Sequence, residues 1–168
     1  MAEFENLYEL HKDYTGRFMT TLNRVSADLA EATPASGWSL LQIFDHVIQV
    51  ESTVFPFITT GAVQQPRTNW ETRRLLKAMV NRSFKVNSPK SFLPKSLHTW
   101  TELHDQWLGS RMQLEQLLSA GRLCFDGQEM VHPILGTLTR LDWFYVYYFH
   151  GERHRLQMEE VIGRLTGI

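Results

Sequence analysis

A chain of 168 residues with 43% apolar content is long enough to bury a core and short for two domains, so residues 1–168 read as a single domain. Its formal charge of −1 argues against general affinity for nucleic acid, no run reaches the roughly 18 apolar residues of a membrane span, and one cysteine, Cys124, excludes an intramolecular disulfide and any CxxC motif. The opening MAEFENLYELHKDY carries four acids where a secretory leader has a basic and then apolar run, which reads as a cytoplasmic protein.

Proline and glycine punctuation divides the chain into about five helical segments, with no period-two strand pattern. The first is expected from Glu3 to Ala32, with Phe4, Leu7, Tyr8, Leu10, Tyr14, Phe18, Leu22, Val25 and Leu29 at helical spacing, ended by Thr33 to Gly37. Ser39 is a natural N-cap for the second, whose apolar stripe includes Leu40, Ile43, Phe44, Val47, Val54 and Ile58. Pro56 should bend or end it, with Gly61 just beyond. A third, shorter helix is expected from Asn69 to Asn81, followed by a connector around Pro89 and Pro94.

The fourth helix should start near Ser96 or Thr99 and run to Leu118, burying Trp100, Leu103, Trp107, Met112, Leu114 and Leu117, with Gly121 as terminator. A loop with His132, Pro133 and Gly136 follows, and Thr137 or Thr139 caps the last helix. That helix is apolar nearly all round from Leu138 to Phe149, which predicts the most buried element. The fold class is therefore all-α, a four-helix bundle with a short extra helix and a basic loop inserted between the second and fourth helical segments. The insertion, Arg67 to Lys95, is net +7 and the remainder of the chain net −8.

Three histidines stand out. His150 and His154 in HisGlyGluArgHis lie within roughly 40° on a helical wheel, in one stripe with Trp143, Tyr147, Met158 and Val161. His46 sits at the edge of the second helix's apolar arc, beside Ile43 and Val50. Converging from two helices, three imidazoles can hold a metal with positions left open. Alternatively, His150 and His154 are polar helix residues paired with Glu152, Asp142 or Glu159. The spacing is not that of a zinc protease, because Glu152 projects roughly 200° from His150.

Two segments carry a family resemblance. GlyTrpSerLeuLeuGlnIlePheAspHisValIleGlnValGlu, 37 to 51, has a Trp-Ser entry, a histidine and then a glutamate five residues on. HisProIleLeuGlyThrLeuThrArgLeuAspTrp and TyrPheHisGlyGluArgHisArgLeuGlnMet, within 132 to 158, supply a loop and an HxxRHxxQ-type final helix. The pattern resembles the DinB/YfiT-like superfamily of metal-binding four-helix bundles. The resemblance implies a metal triad of His46, His150 and His154, and a homodimer. Ligand type suits a divalent ion, Zn²⁺ first, with Ni²⁺ or Fe²⁺ also accommodated. The superfamily includes thiol-dependent transferases and isomerases, so a low-molecular-weight thiol is a further cofactor to consider.

Glu51, near the middle of the second helix's apolar arc, reads either as a partner or base at the site or as half of an ion pair with an arginine of a neighbouring helix; roughly 140° from His46, it favours the ion pair. Gln157 and Arg153 are expected to orient ligands or tie helices together. Trp38, Trp143 and Tyr147 read as pocket walls or plain core, and His132 as a residue able to reach the mouth of the site. The functions consistent with the chain are a metal-dependent enzyme, hydrolase or thiol-dependent transferase, acting on a small molecule; a non-catalytic metal-binding bundle; and a stress-response interaction protein using the basic insertion.

Overall fold

The computed structural model describes residues 2–60, 70–83, 87–95, 97–123 and 125–167, with side chains of 2–5 and 70–73 set aside. It is mostly helical: α1 (Ala2–Leu22), α2 (Ala27–Glu31), α3 (Leu40–Thr59), α4 (Trp70–Met79), α5 (Trp100–Ser119) and α6 (Arg140–Thr166), with a 3-10 turn at Lys90–Phe92 and strands β1 (Glu129–His132) and β2 (Gly136–Thr139). Each long helix after α1 begins with a reciprocal cap: Ser39 with Gln42, Thr99 with Glu102 and Thr139 with Asp142 exchange side-chain and backbone hydrogen bonds.

The long helices contact one another in a closed order, α1 against α5 and α6, and α3 against α5 and α6. Consequently α6 is buried on most sides, with every residue from Arg140 to Phe149 in the interior, as its continuous apolar run predicts. Helix α4 lies against α6, tied there by Arg153, whose guanidinium donates to the carbonyls of Met79 and Asn81 at 2.6 and 2.9 Å.

The core has two apolar halves. One gathers Leu7, Val54, Ile58, Leu114, Phe144 and Tyr148; the other gathers Phe18, Phe44, Val47, Trp107, Met158 and Val161. On two helices a buried charged residue stands between the halves, Glu51 on α3 and Arg111 on α5, while His11 on α1 is buried within the first half.

Several expectations are corrected. The first segment is not one helix: α1 ends at Leu22, Asn23 to Val25 turn back on it, and Ser26 caps the short α2 by accepting from the Leu29 amide. Pro56 does not end α3, which continues to Thr59; its missing N–H and ring act four residues back, at the carbonyl of Ser52, while the Pro56 carbonyl still accepts the Thr60 amide at 3.1 Å. Met112 is 55% exposed, not core. The loop before the last helix is an antiparallel hairpin, pairing Glu129 with Thr139 and His132 with Gly136, so the chain is not purely helical. Gly136 makes its turn at φ +76°, a conformation glycine adopts without steric cost.

Gly61, Asn69, Ser96, Cys124, Arg67 and Lys85 lie outside the described residues. No helix among the described residues is long and apolar enough to cross a membrane.

Candidate metal centre

His46 occupies the second turn of α3, and His150 and His154 successive turns of α6, the helix pair with the most extensive packing in the molecule. That packing brings the three imidazoles together. One nitrogen from each lies within 4.8 Å of the others, and the ring centroids are 4.5 to 5.1 Å apart. His46 Nε2 and His150 Nε2 are separated by 3.2 Å, close to the roughly 3.3 Å between two nitrogens on one tetrahedral zinc with 2.0–2.1 Å bonds.

The outer nitrogens fix the tautomers. His46 Nδ1–H donates to the carbonyl of Phe92 at 2.7 Å, and His154 Nδ1–H donates to Gln157 Oε1 at 2.8 Å. In a neutral ring each of these bonds leaves Nε2 with a lone pair. His150 Nδ1 is buried with no hydrogen-bond partner among the described residues.

All three rings are held neutral. Burial lowers the pKa of His46, opposed in part by its bond to Phe92 and by the charge of Asp45. Burial pulls His154 down to about 3, with His46 adding to the effect. His150 is pushed well below the ordinary histidine value by burial and then by its two neighbours. Three neutral imidazoles, two of them with directed outer hydrogen bonds, supply the protonation state and much of the setting that metal ligands require, so the donor set fits a divalent ion.

Around this cluster, Trp38 packs its ring against His46 with centroids 5.2 Å apart. Gln157 orients the His154 ring through its Oε1. Arg153 serves packing, through the α4 carbonyls. Glu152 does not face the histidines; it binds Arg17 from α1 at 2.9 Å and Arg155 at 2.8 Å. Asp142 caps α6, and Glu159 binds Arg24 and Thr21. The alternative that pairs His150 and His154 with these acids is therefore not what the fold builds.

Glu51 pairs with Arg111 of α5 at 2.5 Å, both side chains almost fully buried. Burial raises the Glu51 pKa and the guanidinium opposes it. The backbone of Gly151 passes so close to this carboxylate that a methyl group there would stand 3.3 Å from Glu51 Oε1, a reason for glycine between the two histidines.

His132 accepts the amides of Ile134 and Leu135 on Nδ1 at 3.1 Å each, which organises the hairpin turn, and its ring lies 5.2 Å from that of Trp143. Trp143 Nε1 donates to the Met130 carbonyl at 3.0 Å, so this tryptophan anchors the hairpin to α6. Tyr147 belongs to the buried Glu51–Arg111 cluster. Among the described basic residues of the insertion, Arg82 pairs with Glu160 at 2.9 Å, while Arg74, Lys77, Lys90 and Lys95 are exposed.

The sequence reading missed the Phe92 carbonyl, since a backbone group in a connector carries no sequence signal, and gave no role to Asp45. The signal for Asp45 was present: a carboxylate between Phe44 and His46 in an apolar helix needs partners. A cleft of about 260 Å³ opens beside them between α3, α5 and the connector, lined by Asp45, Gln49, Ser52, Phe92, Lys95 and His98 among others, and by none of the three clustered histidines.

No curated protein and no solved structure shows significant similarity to the chain. A family model described as the DinB superfamily, however, matches residues 11–158, a span that contains all three histidines and both segments of the resemblance; the chain belongs to the DinB superfamily.

Proposed function

We propose that the chain is a single four-helix-bundle domain, with α4 inserted, that binds a divalent metal through His46, His150 and His154. On this reading it is a metal-dependent enzyme, a hydrolase or thiol-dependent transferase acting on a small molecule. Zn²⁺ is the preferred ion, with Ni²⁺ or Fe²⁺ compatible with three imidazoles. When bound, such an ion supplies Lewis acidity, bringing the pKa of a water or thiol at an open position towards neutrality. A cytoplasmic homodimer is part of the proposal, from the family resemblance.

The observation that carries this reading is the convergence of three neutral imidazoles whose Nδ1 atoms, in two cases, are occupied by outer acceptors. The protein's own contribution is positional. Phe92 and Gln157 hold the tautomers, Trp38 walls one side, and burial keeps protons off the ligands.

The test is metal analysis of protein purified without a histidine tag. Near-stoichiometric metal in the wild type, lost in His46→Ala and in His150→Ala, is expected; metal content unchanged by both substitutions eliminates the triad. Screening the loaded protein against low-molecular-weight thiols with electrophiles, and against simple esters, then separates transferase from hydrolase.

A further inference from the structure

Three side chains of α3 grip the connector that precedes α5. His46 Nδ1–H donates to Phe92 O at 2.7 Å; Gln49 Nε2 donates to Leu93 O at 3.3 Å; Asp45 Oδ2 accepts the Lys95 amide at 2.6 Å. Gln49 Nε2 also donates to Asp45 Oδ2 at 3.2 Å, linking the grips to one another. Within the connector, the Phe92 amide returns to Pro89 O at 3.0 Å, and Pro89 and Pro94 restrict its backbone on either side. The strap formed by residues 89–95 is thus fastened to α3 at Phe92, Leu93 and Lys95.

Among these fasteners Asp45 has the greatest leverage. It is 3% exposed, so its carboxylate depends on hydrogen bonds made inside the protein. Its bond to Lys95 N is charge-assisted and short, the stronger class of hydrogen bond. The bond made by Gln49 to Leu93 is a neutral one at the long end of the range. Phe92 O, which holds His46 in the Nδ1–H tautomer, has no anchor on α3 other than the imidazole it is meant to orient. Its position relative to α3 therefore follows from where the strap is pinned on either side.

We infer that Asp45 is a positioning residue for His46: by pinning the strap through the Lys95 amide, it fixes the Phe92 carbonyl and so presents His46 Nε2 to the three-histidine cluster. The role in metal affinity rests on the metal-binding reading above, whereas the role in His46 orientation does not.

Two measurements on the full-length, tag-free protein test this. In metal-free, ¹⁵N-histidine-labelled protein, NMR reads the tautomer of each ring; His46 should be the Nδ1–H form in the wild type and a mixture in Asp45→Ala. In the same variant, Zn²⁺ affinity by chelator competition should fall about 10-fold, the lower end of the range for loss of an outer partner, because the Phe92 carbonyl is displaced and not removed. Asp45→Asn, which keeps an acceptor for the Lys95 amide, should recover most of the affinity.

Ser26→Ala, which removes the N-cap of the short α2 away from the strap, should lower stability and leave both readouts unchanged. Should Asp45→Ala not fold, Lys95→Pro decides, since it removes the amide that Asp45 accepts at an exposed position and leaves α3 unchanged; a tautomer mixture and a several-fold loss of affinity are expected. Wild-type tautomer and affinity in the deciding variant overturn the inference. A wild type that binds no metal defeats the metal reading alone, and the tautomer of the metal-free protein still decides the role of Asp45.

Discussion

Glu51 and Arg111 meet between the two apolar halves of the core, where the guanidinium is covered by the rings of Trp107, Tyr147 and Tyr148 at 4.7, 4.4 and 5.5 Å. A buried pair of this kind adds little over well-packed apolar residues, because desolvation offsets the attraction, but removing one partner strands a charge in the core. Arg111→Leu should therefore destabilise the protein by about 3–5 kcal/mol at pH 8, and adding Glu51→Leu should restore most of that loss. Guanidinium unfolding of the single and double variants measures this; a double variant no more stable than the single one would show that Arg111 acts through packing.

His11, linked to this pair through Tyr148, gives the pH counterpart. Its Nδ1 lies 2.7 Å from the Tyr148 hydroxyl, and burial, reinforced by the Arg111 charge, lowers its pKa to about 4. The unfolded chain takes up the proton near pH 6.5, the folded one only near pH 4, so the unfolded state is favoured as the pH falls. The contribution of His11 is fully present above pH 6.5 and is lost between 6.5 and 4, amounting to about 3 kcal/mol. His11→Phe should flatten the fall in the denaturant midpoint across that window; an unchanged pH slope would refute the assignment.

At the scale of elements, what could be read from the sequence follows how local its physical cause is. The N-cap Ser39 was legible outright, and Thr99 and Thr139 each as one of two candidates, because a cap is an exchange of hydrogen bonds between residues three apart. The burial of α6 was legible because an unbroken apolar run leaves no face for water. The division of the first segment at Leu22 was not, since Val25 and Leu29 continue the apolar spacing across Asn23 and Arg24, and nothing nearby breaks a helix outright.

The hairpin was illegible for a different reason. Its strands are four residues each, with little alternation to detect, and what steadies them is tertiary: Trp143 bonds Met130, His132 gathers the turn amides, and Leu138 is buried against α6. The candidate site divides along the same line. His150 and His154 share a face by helical geometry alone, whereas the joining of His46 to them depends on the packing of α3 on α6. The Phe92 carbonyl depends on the course of a connector that no periodicity describes.

For the whole molecule, the three histidines join parts of the chain that are 104 residues apart at the His46–His150 contact. A metal held there links α3 to α6 only in the folded state, because the unfolded chain must close that loop before the same ligands meet. Binding that favours the folded state by mass action contributes about 4 kcal/mol when free metal is about 1,000 times Kd. At about 2–4 °C per kcal/mol for a protein of 150–250 residues, metal should raise Tm by about 10 °C at pH 7.5. The low pKa of His154, about 3, and that of His150, well below the ordinary histidine value, leave those two rings unprotonated in the folded state well below pH 6.5, and burial shifts His46 in the same direction. Proton competition for the folded site therefore begins at a lower pH than for free histidine, and the metal-dependent part of Tm should persist at pH 6. Differential scanning calorimetry of chelated and Zn²⁺-loaded protein at pH 7.5 and 6.0 measures both effects. The rise should be absent in His150→Ala, and a wild-type Tm indifferent to metal at both pH values would remove the centre from any account of this fold.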